Sequence, residues 1–201
     1  MVEIEWLGHA SFKITGKNKV IYIDPYNIKK NNVADLILIT HAHFDHCSPD
    51  DVDKINGPET IIACPGDCEP RLMGHIEKIR PFEKKEFAGV RVEGVPAYNL
   101  NKSFHPKANG WLGYVLEVDN IRIYHAGDTD LIPEMAGLKG IDYALLPIGG
   151  IYTMNAVEAA KAADIIKPKL AAMPMHYGTI AGDSTDAEKF KNLCSCRVKI
   201  H

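Results

Sequence analysis

The sequence predicts an α/β fold in which two β-sheets pack against each other and helices cover the outer faces. Three observations favour this class. The first 40 residues consist of short apolar or alternating runs divided by glycine and polar residues, as expected of consecutive strands. A hairpin pattern follows in the middle of the chain. From residue 143 onward strand and helix patterns alternate, which is typical of βαβ units.

Four strands are predicted at the start of the chain because Gly8 and the segment Gly16-Lys17-Asn18 interrupt the apolar pattern. They cover residues 2–7, 11–15, 20–24 and 35–40. A helix should begin near Ser48, since serine is a good N-cap, Pro49 suits the first helical position and acids follow in the first turn. It is expected to end before Gly57.

The middle of the chain returns mostly to strand patterns. We expect a strand over 60–63, a short helix over 66–74 and strands over 76–81 and 90–97. Asp119 and Asn120 tolerate a left-handed backbone, and they predict a tight hairpin between strands 112–118 and 121–124. The remaining predicted elements are strand 143–146, helix 156–166, strand 170–173, helix 185–193 and strand 197–200.

Length and composition limit the functional classes. A chain of 201 residues favours one domain over 1–201, and 46% hydrophobic with 24% charged residues is ordinary for a globular protein. A net charge of −3 without a basic run argues against a nucleic-acid partner. No signal peptide and no apolar run of about 18 residues is present, so we expect a cytoplasmic protein without a membrane partner. Five cysteines, an odd number, argue against a disulfide framework.

A cluster of metal-ligand side chains follows the apolar run at 36–39. It consists of His41, His43, Asp45 and His46. Alternate residues of an extended chain share a face, so His41 and His43 can approach one ion while Asp45 and His46 reach a second. Imidazole nitrogen and carboxylate oxygen are ligands for zinc, manganese and iron. Because the cluster lies at a loop, the pattern indicates catalysis more than a structural metal.

Further polar residues also follow predicted strands. They are Asp128, His176 and the segment 99–105, which contains Asn99 and His105. Taken singly, such an aspartate is more often a turn residue, and such a histidine is more often structural. The first cluster changes their interpretation, because two adjacent ions need more ligands than four residues supply and an aspartate can bridge two cations.

The string at 41–46 matches the His-x-His-x-Asp-His motif of the metallo-β-lactamase superfamily, and 127–129 and 174–176 resemble its downstream motifs. Strings at 6–12, 124–129 and 145–150 resemble its branch of small metal-dependent hydrolases akin to ascorbate-6-phosphate lactonase and N-acylphosphatidylethanolamine phospholipase D. The resemblance implies an αββα four-layer sandwich. It also implies that His41 and His43 bind one ion, that Asp45, His46 and His176 bind the other, and that Asp128 bridges.

One position departs from the family. Relatives place a third histidine ligand of the first ion at the end of the strand before the hairpin, where this chain has Asn99. His105 is the favoured replacement because an amide oxygen is a poorer zinc ligand than imidazole, with Asn99 itself or an incomplete site as alternatives. Two further residues are assigned a contact with a ligand or substrate. The first is His9, for which the alternative is a purely structural histidine. The second is Asp24, for which the alternative is a turn residue at the end of a strand.

The resemblance implies two divalent ions, zinc before manganese or iron, and a metal-activated hydroxide that attacks an ester, lactone or phosphodiester of a small molecule. Asp45 would orient the water as the catalytic residue. A nuclease and a metal-binding module without catalysis are the alternatives, and a homo-oligomer is left open. Loop 99–110 is the expected substrate wall. Lys102 and Lys107 there could contact a phosphate or carboxylate, although solvated loop lysines are the more ordinary interpretation.

Overall fold

A computed structural model describes residues 2–29 and 32–200. Of the domain predicted over 1–201, Met1, Lys30, Asn31 and His201 lie outside the described residues. Two six-stranded sheets dominate the described part, and side chains of both sheets join in one buried apolar cluster. With the helices packed on these sheets, the predicted αββα sandwich is confirmed.

The first sheet holds six strands in sequence order. They are β1 (Glu3–Gly8), β2 (Ser11–Thr15), β3 (Val20–Ile23), β4 (Leu36–Leu38), β5 (Ile61–Cys64) and β6 (His75–Lys78). The pairs from β1 to β3 are antiparallel, and those from β3 to β6 are parallel. Apolar residues are continuous along β4 because both faces are buried. Leu36 and Leu38 join the core between the sheets, whereas Ile37 packs on the outer face with Val52 of the following helix.

The second sheet is built from the later strands. They are β7 (Lys84–Phe87), β8 (Val90–Pro96), β9 (Leu112–Val118), β10 (Ile121–His125), β11 (Tyr143–Pro147) and β12 (Ala171–Met175). The pairs from β7 to β10 are antiparallel, and β10, β11 and β12 are parallel. Asp119 and Asn120 turn the predicted hairpin with φ angles of 48° and 64°. Short polar side chains tolerate this left-handed backbone.

In the described part of the chain three α-helices accompany the sheets, namely α1 (Pro49–Asp53), α2 (Ala156–Ile166) and α3 (Ser184–Leu193). Helix α2 begins with a capping box, in which Asn155 Oδ1 accepts from the backbone N–H of Glu158 and the Glu158 carboxylate accepts from that of Asn155. It packs against β11 and α3. Within the described ranges, no helix has the length and apolar character needed to cross a membrane.

Two predicted elements need correction, and one strand was missed. The helix predicted over 66–74 is a single 3₁₀ turn, Glu69–Arg71, because Pro70 lacks the N–H that a longer helix needs. Strand β7 was not predicted, since its sequence Lys-Lys-Glu-Phe has no apolar alternation; it is an edge strand with three exposed side chains. The strand predicted over 197–200 is reduced to one bridge between Val198 and Ala172.

The strand directions decide where the site lies. In the first sheet β1, β3, β4 and β5 run one way, and in the second β8, β10, β11 and β12 share one direction. Loops that follow parallel strands meet at one edge of a sheet. The segments after β1, β3, β4, β8, β10 and β12 contain all the polar residues that the sequence singled out.

A buried aspartate anchors the loop after β3. Asp51 accepts hydrogen bonds from the backbone N–H groups of Asn27 and Ile28 at 2.9 and 3.0 Å, and from Ser48 Oγ and Lys54 Nζ, both at 2.7 Å. Burial raises the pKa of Asp51, but the hydrogen bonds outweigh burial and the net pKa is lowered. Its stabilising contribution is therefore present above the unfolded pKa of about 3.9 and is lost as pH falls through the folded value.

We predict that Asp51→Asn lowers the free energy of unfolding by about 1–3 kcal/mol at neutral pH, because buried donors lose their charged acceptor. The deficit should shrink as pH falls from about 4 towards the folded pKa, because the unfolded carboxylate is then protonated and the linked stability is lost. Urea denaturation at both pH values measures this. Asp50→Asn is the matched control, since Asp50 is exposed and should shift stability by less than about 0.5 kcal/mol. A deficit that is equal at both pH values contradicts the assignment.

Candidate metal centre

Loops from both sheets converge at this edge, where two backbone hydrogen bonds join the sheets. Leu112 N donates to Thr40 O at 3.0 Å, and His176 N donates to His9 O at 2.8 Å. His9, Asp24 and His176 have positive φ angles of 51°, 46° and 57°. A left-handed backbone is costly for residues other than glycine and concentrates at functional sites. The sharp turns redirect these three side chains at the strand ends.

Asp24 is fully buried and accepts three hydrogen bonds. Its Oδ1 accepts from Thr40 N at 2.7 Å, and its Oδ2 accepts from Thr40 Oγ1 at 2.6 Å and from His46 Nδ1 at 2.7 Å. The Thr40 hydroxyl donates its only hydrogen bond to Asp24. It therefore accepts one from His41 Nδ1, at 2.9 Å. One carboxylate thus sets the orientation and the proton position of two histidines, and it leaves Nε2 of each free to face the site.

The first group of ligand-type side chains consists of His41, His43 and His105, whose ring nitrogens lie within 4.8 Å of one another. His41 Nε2 and His43 Nδ1 are 3.0 Å apart. Two unprotonated ring nitrogens repel at that distance unless a proton or a cation lies between them. A hydrogen bond between the two rings fulfils this condition, and a cation held by the three rings would fulfil it as well.

The Asn99 side chain is held by hydrogen bonds to three residues. Its side-chain oxygen accepts from His105 N at 2.9 Å and from His105 Nδ1 at 3.1 Å, and its amide nitrogen donates to Asp130 Oδ1 at 3.1 Å and to Tyr152 O at 2.9 Å. All four bonding positions of the amide are used. Asn99 thus fixes His105 with Nε2 towards the site, and Lys102 pairs with Asp130 behind it.

The second group contains His9, Asp45, His46 and His176. His9 Nε2 is 2.9 Å from Asp45 Oδ2, and the His9 and His176 rings are 4.1 Å apart. His9 therefore contacts two residues assigned to the second ion.

Asp128 lies between the two groups. Its Oδ2 is 3.2 Å from His105 Nε2 and 3.0 Å from His176 Nε2, and its Oδ1 is 3.4 Å from His46 Nε2. His41 Nε2 is 4.0 Å from Oδ2. A carboxylate with histidines on both of its oxygens has the position expected of a bridge.

The buried donor atoms fit metal ions. Among the described residues, no hydrogen-bond partner is found for His46 Nε2, His105 Nε2, His176 Nε2 and Asp128 Oδ1. Buried polar atoms without partners are rare because each costs about 1–3 kcal/mol. Here four converge on one space, and a divalent cation satisfies imidazole and carboxylate together.

Electrostatics favour the same arrangement. Burial, reinforced by His46, lowers the pKa of His41 well below its usual range, and burial with His105 lowers that of His43. Burial raises the pKa of Asp128, but His176 and His46 outweigh it and hold the net pKa well below normal. Neutral His41 and His43 and an ionised Asp128 are the protonation states that ligation requires. His46 shifts the other way, because Asp128 and Asp24 outweigh its burial and raise its pKa.

Some residues of the site were not predicted. Trp111 packs its ring 4.9 Å from that of His41 and 4.8 Å from that of His43, and its Nε1 donates to Asp67 at 2.7 Å. Thr40 and Asp130 were also missed. Thr40 directly precedes the histidine motif, and that adjacency was the one available signal; Trp111 lies outside any motif.

His125, in contrast, lies outside the cluster, since its Nε2 contacts Ala10 O at 2.9 Å within the core.

The chain matches the family model of the beta-lactamase superfamily domain over residues 3–176. The protein belongs to the metallo-β-lactamase superfamily. Within this superfamily it is 37% identical over 216 residues to a UPF0173 metal-dependent hydrolase of Thermococcus onnurineus, covering 100% of this chain and 95% of the relative. A relative with the same description from Thermoplasma acidophilum is 36% identical over 208 residues, covering 96% and 90%.

Solved structures agree with this membership of the metallo-β-lactamase superfamily. A protein from Parabacteroides distasonis is 33% identical with a TM-score of 0.89, covering 100% of this chain and 92% of that one. A metallo hydrolase from Ignicoccus hospitalis is 25% identical with a TM-score of 0.77, covering 100% and 94%.

We predict that Asp24→Asn lowers the free energy of unfolding of the chelator-treated protein by about 2–5 kcal/mol, because His46 loses a buried charged partner. Burial lowers the pKa of His46, but Asp128 and Asp24 outweigh it and raise the net pKa well above normal. The contribution is thus full below about pH 6.5 and is lost as pH rises through the folded value, so the deficit should be largest in mild acid. Denaturant titrations in excess EDTA measure it, with the exposed Asp53→Asn as control. A deficit that grows with pH contradicts this account.

Proposed function

We propose that this protein is a metal-dependent hydrolase with two divalent ions at the shared edge of its sheets. The observation that carries the proposal is that buried imidazole nitrogens without a hydrogen-bond partner converge from both sheets on one carboxylate, that of Asp128. The description of its relatives as metal-dependent hydrolases supports the same activity. Nitrogen and oxygen donors suit zinc first, with manganese or iron as alternatives.

The ligands follow from the two groups. We assign His41, His43 and His105 to the first ion and Asp45, His46 and His176 to the second, with Asp128 between them. Asn99 is assigned a positioning role, because His105 already uses its oxygen twice. Asp24 holds His46 directly and His41 through Thr40. Such supporting contacts orient ligands and fix the ring nitrogen that binds.

The proposed reaction is hydrolysis of an ester, lactone or phosphodiester of a small molecule. When bound, the ions would lower the pKa of a water molecule towards neutrality and polarise the substrate oxygen. Asp45 orients the attacking water and takes up its proton at Oδ1, since Oδ2 already accepts from His9. In an ester, the water oxygen joins the acyl carbon, the acyl C–O bond breaks, and the proton passes to the leaving oxygen.

The two candidates for the missing histidine can be separated by metal content. We expect His105→Ala to reduce the metal content from about two ions per chain to about one, because the first site loses a ligand. Asn99→Ala should keep all three assigned histidines of the first site but weaken that site about 10- to 100-fold, as loss of a supporting contact does. Metal analysis after dialysis and chelator competition measure both effects.

Asn101→Ala is the matched control for these variants, since Asn101 is an exposed amide of the same loop and should leave metal content unchanged. Equal metal content in wild type and His105→Ala would remove His105 from the ligand set. A greater loss in Asn99→Ala than in His105→Ala would instead make Asn99 the ligand.

The activity itself is tested with metal-free protein reconstituted with zinc, manganese or iron. We expect turnover of ester, lactone or phosphodiester substrates only after reconstitution. Asp45→Asn should lower kcat about 10²- to 10⁴-fold, the usual range for loss of a proton-transferring group. Metal content of the variant must be measured in parallel, because Asp45 is also an assigned ligand. Two bound ions without turnover on any substrate class would contradict the hydrolase and favour a metal-binding module.

A further inference from the structure

Two exposed phenylalanines directly adjoin the assigned ligands. Phe44 lies between His43 and Asp45 and is 65% exposed, and Phe104 precedes His105 and is 44% exposed. Neighbouring Cα atoms are about 3.8 Å apart, so the backbone of each phenylalanine lies beside that of an assigned ligand. Large exposed apolar side chains grouped around a polar site indicate a binding surface.

Each phenylalanine has an aromatic partner from another loop. The Phe44 ring is 6.0 Å from that of Tyr26, which is also 6.0 Å from the His9 ring, and the Phe104 ring is 4.8 Å from that of Tyr152. We call Tyr26, Phe44, Phe104 and Tyr152 the aromatic rim. One pair therefore lies beside the second ligand group, and the other adjoins the first. Both pairs are edge-to-face contacts, which are favourable for aromatic rings.

The cations of the same loop are already committed to partners. Lys102 Nζ pairs with Asp130 and donates to Thr153 O at 3.0 Å. Lys107 Nζ donates to Glu134 at 3.0 Å and to Tyr98 Oη at 3.1 Å. These contacts tie loop 99–110 to its neighbours and neutralise both charges. Loop 99–110 therefore presents the Phe104 ring to a ligand and no uncommitted lysine for a phosphate.

We propose that the aromatic rim binds an apolar acyl or aryl group of a carboxylic ester or lactone, and that the scissile carbonyl then lies over the histidine cluster. This rests on the proposed hydrolase function and narrows its substrate class. Burial of an apolar group against exposed rings removes apolar surface from water, which favours binding. A sugar phosphate or a dianionic phosphoester gains less from the aromatic rim, because the rings offer neither a hydrogen bond nor a charge to a phosphate group.

The test compares para-nitrophenyl acetate, butyrate and octanoate with bis-para-nitrophenyl phosphate, using metal-reconstituted protein. For wild type, kcat/KM should rise with acyl length. Phe44→Ala and Phe104→Ala should each lower kcat/KM for octanoate about tenfold, since each removes buried ring contact, and change acetate by less than about twofold. Phe82→Ala is the matched control, because Phe82 is 69% exposed on the turn before β7 and should change neither ester.

A binding measurement separates this proposal from the hydrolase. Calorimetry with the product octanoate should show weakening of about tenfold in both rim variants, and inorganic phosphate should bind them and wild type equally. If octanoate binding depends on the rim but no ester is turned over, the rim is supported as a binding surface and the hydrolase function is contradicted. Ester turnover that is indifferent to acyl length and to both rim variants would overturn the rim and leave the hydrolase intact.

A nearby cation, Arg71, allows the alternative of an anionic substrate to be tested. Arg71 is exposed and donates from Nη1 to Ala42 O, beside the histidine motif. Under the proposal, Arg71→Ala leaves ester turnover unchanged. A preference for the phosphodiester, together with its loss in Arg71→Ala, would overturn the proposal in favour of an anionic substrate.

Discussion

The buried carboxylate of Asp24 is the constraint on which the candidate centre depends. A charge without exposure is tolerated only when hydrogen bonds replace its water, and Asp24 receives three, from Thr40 and His46. Its own carbonyl accepts from Ser11, so β2, β3 and the segment after β4 are joined at one residue. Because Thr40 relays the contact to His41, residues of both ligand groups are fixed by the same interaction.

A second device operates on the other sheet. Asn99 occupies the strand end and holds His105, which lies six residues further along the loop. The Asn99 amide in turn donates a hydrogen bond to Asp130, whose charge is paired with that of Lys102. This network orients an imidazole on a loop, as the sheet would orient a ligand on a strand. It does so only if every polar atom of the network is paired.

The sequence was informative where the relevant spacing was local. Strand alternation, the Asp-Asn hairpin and the six-residue histidine motif each depend on neighbours in the chain, and the fold class followed from them. The choice between Asn99 and His105 could be ranked by ligand chemistry but not decided, because it depends on the path of loop 99–110. Trp111, which packs on the histidine rings, was missed for the same reason. Strand β7 escaped because charged side chains at a sheet edge carry no apolar periodicity.

The division of the assigned ligands between two sheets has a consequence for biosynthesis. His41, His43, Asp45 and His46 follow β4, whereas His105, Asp128 and His176 belong to the second sheet or its loops. A single domain folds as a unit. All seven assigned ligands therefore come together only after the chain has been made through His176 and the second sheet has docked on the first.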